Sequence, residues 1–523
     1  MDNVKNSGAE HIEFPEMGDT LKGSGTVAVP TSLQDLTPEE IQRREAKLVR
    51  KIDIRLLIMM LIMYILNYLD RNNIAAAKLA GLQADLNLRG DQYQVCVSIL
   101  FVGYLLMQVP SNLILNKLGK PSIYLPGCMV AWGVISCCTA ATHNFAGLIV
   151  VRFLLGFVEA AYFPGCLYLL SAWYTRKELG KRTALLYAGS LISGAFSGLI
   201  AAGITSGLNG ARGIAAWRWL FIIEGALTIF AALIAFFIVP DLPRTTSWLT
   251  DDEKVLAAWR LEKDIGEDDW VDNEHQSMTK GAKLAVTDIK TWLMLGVIYG
   301  CTSAGCVTTF FPSVMAGLGR NNIDTLLLTT PPYLIATFVV LVHAWHADRT
   351  GERYLHIALP PIVAIVAFIL AMAGNNFAAR YVAMCIMLGG IYAGYVVSLG
   401  YISNILPRPA TKRAAALAFI NCLSNVCQIY MPYLYPGMPK ASASLATYNL
   451  LIHSASPRYI AAFSVNIALL AMTIVIATIL RIYLGRLNKQ LDELEGVDLA
   501  RACENEEHGL PGRAVAEGFR FLL

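Results

Sequence analysis

The sequence predicts an all-α polytopic membrane protein: twelve spanning helices in two pseudo-symmetric six-helix halves, with both termini cytoplasmic. Three observations carry that prediction. Hydrophobic residues make up 55% of the 523-residue chain and charged residues only 15%, with a mean hydropathy of +0.49; soluble domains run nearer a quarter charged. The charges are also segregated into the first 55 residues, a stretch near 241–290, the last 40 residues and short gaps between apolar runs of the length that crosses a bilayer as a helix. The third observation is an internal repeat. KRTALL at 181–186 recurs as KRAAAL at 412–417, and NKLGK at 116–120 has its counterpart in ADRTG at 347–351, at nearly the same offset.

Spans are expected near 54–77, 93–116, 122–142, 147–171, 184–208 and 217–239 in the first half. The second half is expected to span near 291–312, 326–347, 355–374, 381–405, 414–436 and 459–483. Orientation follows from the basic residues of the short loops. Lys117, Lys120, Arg176, Lys177, Lys181 and Arg182 share one side with Arg349, Arg353, Arg408, Lys412 and Arg413, and with the basic run from Arg43 to Arg55. The opposite loops hold scattered positives such as Lys78, Arg89, Arg212, Arg320 and Arg380. Residues 1–50 therefore read as a disordered cytoplasmic tail, 51–240 as one half and 241–290 as a cytoplasmic linker loop. Residues 291–484 form the second half and 485–523 a cytoplasmic tail. Parallel repeats of this kind place a substrate site near the bilayer midplane, where the halves meet, and permit alternating access.

Other classes find no support. The polar start shows no cleavable signal peptide, so the first span is expected to direct insertion. Most of the eleven cysteines lie inside apolar runs, and no Cys/His cluster has zinc-ligand spacing. There is no basic stripe for nucleic acid, no nucleotide loop of the GxxxxGK[ST] type and no nucleophile–base constellation, so neither an enzyme nor a primary pump is expected, and no cofactor or metal.

Several segments carry a family resemblance. ADRTGER at 347–353 resembles the signature loop of the major facilitator superfamily, whereas NKLGKP at 116–121 keeps its Gly and basic residues but lacks the Asp-Arg pair. LNYLDRNNIAAAKL at 66–79 and RFLLGFVEAAYFPG at 152–165 resemble the first and fourth helices of that superfamily's anion:cation symporter branch. VPSNLILNKLGKP at 109–121, FFIVPDLPRTTSWLTDDEKVLAAWRL at 236–261, GYISNILPRPATKRAAALAFIN at 400–421 and EGFRFLL at 517–523 are similar to fungal permeases of the allantoate permease family. The resemblance implies a major facilitator fold and proton-coupled uptake of small carboxylates such as ureido acids, nicotinate or vitamin-like acids. It also implies a plasma-membrane location, and the loop residues Asp348, Arg349, Gly351 and Arg353 would form the conformational switch.

The buried charges point the same way. An ionisable group at a helix centre costs about 2.5–3.5 kcal/mol on insertion scales, so such groups are rare and usually functional. The central ones are Asp70 and Arg71 in the first span and Arg152 and Glu159 in the fourth. Arg152 and Glu159 are two helical turns apart and share a face, whereas the side chains of Asp70 and Arg71 diverge by about 100°. Two acids and two bases sum to zero, so a bound monoanion is balanced when one acid takes a proton. Arg71 or Arg152 is expected to grip the substrate carboxylate, a task suited to guanidinium geometry, with Asp70 and Glu159 carrying protons. Interhelical ion pairing is the plain alternative for all four. Glu224 reads as a structural partner for a basic residue, and His343 and His346 as interfacial groups.

Tyr104, Gln108, Ser190 and Ser193 are candidate pocket residues in the first half. Tyr299, Tyr392, Tyr395, Asn421, Asn425 and Gln428 are their counterparts in the second, the last three lying on one helix face; hydrogen bonding between helices explains such a stripe equally well. The far wall is thus neutral, which suits a monocarboxylate. The glycines of GSLISGAFSGLIAAG at 189–203 read as a close-packing surface, and the acidic 262–274 stretch as solvated loop. The expected partners are a small organic anion, protons and the bilayer, and a monomer is expected. Export or precursor import for a fungal natural-product pathway uses the same fold, as does a nutrient sensor.

Overall fold

The computed structural model describes residues 30–265, 278–406, 410–435, 459–495 and 521–522, which are helical or connecting segments without a strand. Among the described residues, twelve helices are long and apolar enough to span a bilayer. They are α1 (Pro38–Leu79), α2 (Gln92–Asn112), α3 (Pro121–Thr139), α4 (Phe145–Trp173), α5 (Glu178–Gly207) and α6 (Ala216–Ile238) in the first half. In the second half they are α7 (Ile289–Ala316), α8 (Asn322–Thr350), α9 (Tyr354–Ala373), α10 (Phe377–Ile402), α11 (Ala415–Leu434) and α12 (Ile460–Leu491). Each of the twelve expected spans overlaps one of these, and the chief differences are extensions at the helix ends.

Each helix sorts its residues between lipid and bundle. α6 turns Phe230, Leu233 and Phe237 outward and buries Glu224, Thr228, Ala232 and Ala235. Without a hydrophobic drive between helices in lipid, close approach rests on small residues. A side chain added at Gly156 of α4 would collide with the Leu100 backbone of α2, and one at Gly103 with the Phe153 backbone. Gly133 of α3 and Gly225 of α6 abut each other's helix in the same way. These contacts fix α4 against α2 and α6 against α3, and both pairs carry buried charges.

The segments at the basic end are more ordered than the sequence predicts. Residues 38–52, expected within a disordered tail, form a helix capped reciprocally by Thr37 and Glu40 that runs into the first span. The expected linker loop contains the helices Asp251–Ile265 and Met278–Thr287. Buried Arg260 anchors the first of these, 2.6 Å from the Trp173 carbonyl and 3.0 Å from Glu178. Glu262, placed by sequence in a solvated acidic stretch, lies 2.6 Å from Arg244; residues 266–274 of that stretch lie outside the described residues, as do 1–29. Asp53 accepts two hydrogen bonds from Arg182, the second residue of the KRTALL repeat, at 2.7 and 2.9 Å.

The halves touch along α5 and α8. Towards the end away from the basic loops, Gly194 packs on the Tyr333 ring and Gly198 on Thr329. Thr330 donates to the Ala195 carbonyl at 3.2 Å, and Ser98 of α2 to the Ile429 carbonyl of α11 at 2.7 Å. Towards the basic end, Gly180 of α5 faces the Asp348 carboxylate.

Candidate functional site

Between these contacts the two halves line a small chamber. α1 supplies Tyr64, Asn67, Tyr68 and Arg71; α2 supplies Tyr104; α4 supplies Glu159 and Phe163; and α5 supplies Tyr187. The second half contributes Tyr395 of α10 and Asn421 and Asn425 of α11. The α1 residues follow i, i+3, i+4, i+7 spacing, so one helix face points inward.

Arg71 is the chamber's cation. Its Nη2 lies 2.8 Å and its Nε 2.9 Å from Oε2 of Glu159. Three aromatic rings surround the guanidinium, with centroids 5.0 Å (Tyr104), 5.1 Å (Tyr68) and 5.7 Å (Phe101) away. Such a cage favours a cation beyond its ion pair. Oε1 of Glu159 is buried without a hydrogen-bond partner. On the far wall, Asn425 donates to Asn421 Oδ1 at 3.2 Å, and Tyr187 lies 5.0 Å from Tyr395, centroid to centroid. The wall is aromatic and amide in character.

The other residues singled out from the sequence lie elsewhere. Arg152 stands behind the pair, its Nε 3.4 Å from the Cys96 carbonyl and its Nη2 3.4 Å from the Arg71 carbonyl, and it does not line the chamber. Gln108 is buried with both amide atoms unpartnered, and Ser190 donates to the Tyr187 carbonyl at 2.8 Å; neither lines the chamber. Asp70 points the opposite way from Arg71, into the α1–α3–α6 packing, where Ser136 donates to it at 2.6 Å and Thr228 at 2.8 Å. The reading of Glu224 as partner of a base is corrected: among the described residues no basic partner is found for it, and its polar neighbours are Asp70 and Asn73. Tyr64, Asn67, Tyr68, Phe163 and Tyr187 went unrecognised in the sequence, although the α1 stripe was visible in its spacing.

At the basic end, Asp348 accepts from Arg353 at 3.0 Å, Arg349 lies 5.4 Å from the Trp345 ring centroid, and Gly351 closes α8 with φ at +71°. His343 and His346 join His356, through the His356 carbonyl at 2.8 Å and its Nε2 at 2.7 Å.

Comparison with known proteins agrees with this architecture. Residues 60–432 match the Major Facilitator Superfamily. The chain is 36% identical over 397 residues to the MFS transporter prlL of a fungal species (strain NRRL 50135), covering 73% of this chain and 78% of that protein. It is 30% identical over 384 residues to a putative tartrate transporter of Agrobacterium vitis, covering 73% and 83%. Among solved structures, the proton:xylose symporter XylE bound to 6-bromo-6-deoxy-D-glucose superposes with a TM-score of 0.60 at 14% identity, covering 81% of this chain and 94% of that one. At that identity the likeness concerns the fold.

Proposed function

Because the chain belongs to the Major Facilitator Superfamily and is a multi-pass membrane transporter, we propose that it carries a small organic anion together with protons by alternating access. The observation behind this reading is the Arg71–Glu159 pair, enclosed where the two halves meet. An arriving carboxylate competes with Glu159 for the Arg71 fork, the geometry a guanidinium binds best. Once displaced, Glu159 is an uncompensated carboxylate in a poor dielectric, a state relieved by taking a proton. The anion and the proton therefore enter together. The amides of Asn421 and Asn425 and the ring of Tyr395 offer hydrogen bonds and stacking but no second cation, which favours a monocarboxylate with a polar or planar body. The name of the Agrobacterium vitis relative is in keeping with a carboxylate substrate.

In this scheme Arg71 holds the anion and Glu159 loads the coupling proton. Asp70 bears on coupling through α1, and Arg152 braces the pair from behind. Asp348, Arg349, Gly351 and Arg353 act where α8 meets α5 as the switch between the two open states. A monomer in the plasma membrane completes the reading.

Uptake of radiolabelled carboxylates, tartrate among them, by cells expressing the chain at pH 5 and pH 8 provides the test. Uptake of one acid that rises at low pH and collapses in Glu159→Gln supports the scheme. Accumulation indifferent to pH that survives the substitution overturns it.

A further inference from the structure

On the side of α1 turned away from the chamber, five oxygen-bearing side chains from three helices meet in a dry interior: Asp70 and Asn73 of α1, Ser136 of α3, and Glu224 and Thr228 of α6. All five are buried to 1% exposure or less. We infer that Asp70 and Glu224 form a carboxyl pair that holds one proton between them, apart from the substrate chamber and coupled to it through α1. The inference deepens the proton-coupled reading above and rests on it for its role in transport.

The buried charges make the case. Arg71, Arg152 and Glu159 form one group, Arg71 paired with Glu159 and Arg152 lying behind them, with a net charge of +1. The second group is Asp70 and Glu224, for which no ion pair with a basic residue is found among the described residues. Glu159 of α4 and the Cys137 thiol of α3 are the other titratable groups that face Asp70, and Glu224 faces Asp70. Neither Glu159 nor Cys137 supplies positive charge. Fully ionised, the five residues sum to −1 in a medium that tolerates no net charge cheaply. One proton on the second group brings the sum to zero, and two carboxyls close together share a proton more readily than they both ionise.

Hydrogen bonding favours Glu224 as the partner that carries the proton. Asp70 accepts one hydroxyl on each oxygen, from Ser136 and Thr228, the arrangement of an ionised carboxylate. The oxygens of Glu224 accept from no donor, and both amide atoms of buried Asn73 beside it are likewise unpartnered. A protonated Glu224 has a donor to place on Asn73 Oδ1 or on Asp70, whereas an ionised one beside ionised Asp70 has only the Asn73 amide N–H to accept. Asp70 and Arg71 are consecutive on α1, so moving the proton to Asp70 weakens its hold on Ser136 and Thr228 and alters the packing of the helix that carries the anion's anchor.

The test is infrared spectroscopy of the purified full-length chain in lipid at pH 8, read at the carbonyl stretch of a protonated carboxylic acid. The wild type is expected to show this band. Glu224→Gln and Asp70→Asn should each abolish it, because either leaves the remaining acid balanced by the first group and therefore ionised. Ser136→Ala keeps both acids and guards against a folding defect: it should shift the band's frequency as the proton redistributes. A band absent from the wild type, or unchanged in all three variants, overturns the pair. The readout needs no substrate, so it is separable from the uptake assay: a band that behaves as described beside pH-independent uptake retains the pair and sinks only the symport reading.

Discussion

Arg71 and Glu159 meet through a single oxygen: both Nε and Nη2 of the guanidinium lie within 2.9 Å of Oε2, while Oε1 is buried with no partner. A half-used carboxylate is easier to displace than one gripped on both oxygens. Arg71→Lys keeps the charge but removes the planar fork. The loss is that of a charge-assisted hydrogen bond, about 1.5–3 kcal/mol, or roughly 10- to 150-fold in affinity. Calorimetry on the purified variant, with whichever acid the uptake panel identifies, measures it. An affinity within twofold of wild type would mean that Arg71 is not the anchor.

The α2–α4 contact holds Glu159 in place, and it has no room for a methyl group at Gly156 or Gly103. Gly156→Ala must push the helices apart, and overpacking of this kind costs about 1–3 kcal/mol. The variant should melt below wild type in detergent and lose uptake in proportion. Gly207→Ala, where an added Cβ meets nothing, should change neither.

How far the sequence foretold this site depends on the kind of contact involved. The spans, the repeat and the inward direction of Arg71 and Glu159 follow from apolar run lengths and helical spacing, which are local properties. The Tyr64–Asn67–Tyr68–Arg71 stripe is equally local, but charge drew attention away from the aromatic residues. Arg152 shares a helix face with Glu159, yet the carbonyls of Cys96 and Arg71 take up its guanidinium; a backbone acceptor on another helix leaves no mark in a sequence. The same holds for Glu224, whose neighbour Asp70 lies on α1 across the α3–α6 packing. The basic-end helices were missed because their charged residues resemble solvated loops until Arg260 and Lys51 are seen to pair them across the chain.

At the other α5–α8 contact, Gly198 abuts Thr329 and the Leu326 carbonyl. A side chain here wedges the halves apart at the end away from the basic loops, so Gly198→Ala should populate the state open on that side. A cysteine placed at Asn72, in the gap lined by Gly194, Gly198 and Tyr333, reports on it. Labelling by a membrane-impermeant thiol reagent, above the background of the native cysteines, should be faster in the glycine variant. Equal rates would mean that this contact does not set the equilibrium.

Arg260, paired with Glu178 and Glu45, and Glu253, paired with Lys51, tie the linker helix to the first half, and the two ties should differ in strength. Arg260 is 2% exposed and serves Glu178 and the Trp173 carbonyl, so Arg260→Ala strips a buried carbonyl and a half-buried carboxylate of their donor and should cost about 1–3 kcal/mol. Glu253 is exposed enough for solvent to screen its bond to Lys51, and Glu253→Gln should cost about 1 kcal/mol or less. Partial burial works against ionisation of Glu253, but the Lys51 ammonium and the Thr250 N–H outweigh it and hold the carboxyl below its ordinary value of 4.5. Its contribution is therefore present above pH 4.5 and lost as pH falls through the lowered value. Melting temperatures from pH 3 to pH 7 should show the wild-type advantage over Glu253→Gln fading only at the acid end.

The last described residues of the chain are docked. Asn488 of α12 donates to the Phe521 carbonyl at 3.0 Å and accepts from its N–H at 2.9 Å, satisfying both backbone groups with one side-chain amide. The Phe521 ring is 3% exposed with Lys290 of α7 5.0 Å from its centroid, and Tyr401 of α10 donates to the Leu522 carbonyl. A segment held this way clamps the basic-end termini of α7, α10 and α12 together. Phe521→Ala should cost about 1.5–3 kcal/mol, the worth of burying the ring. Asn488→Ala removes the other half of the same clamp. If the segment docks as a unit, the double variant should melt no lower than Phe521→Ala alone, because undocking has already forfeited the Asn488 bonds. Additive losses would show that Asn488 stabilises the helix ends independently of the segment.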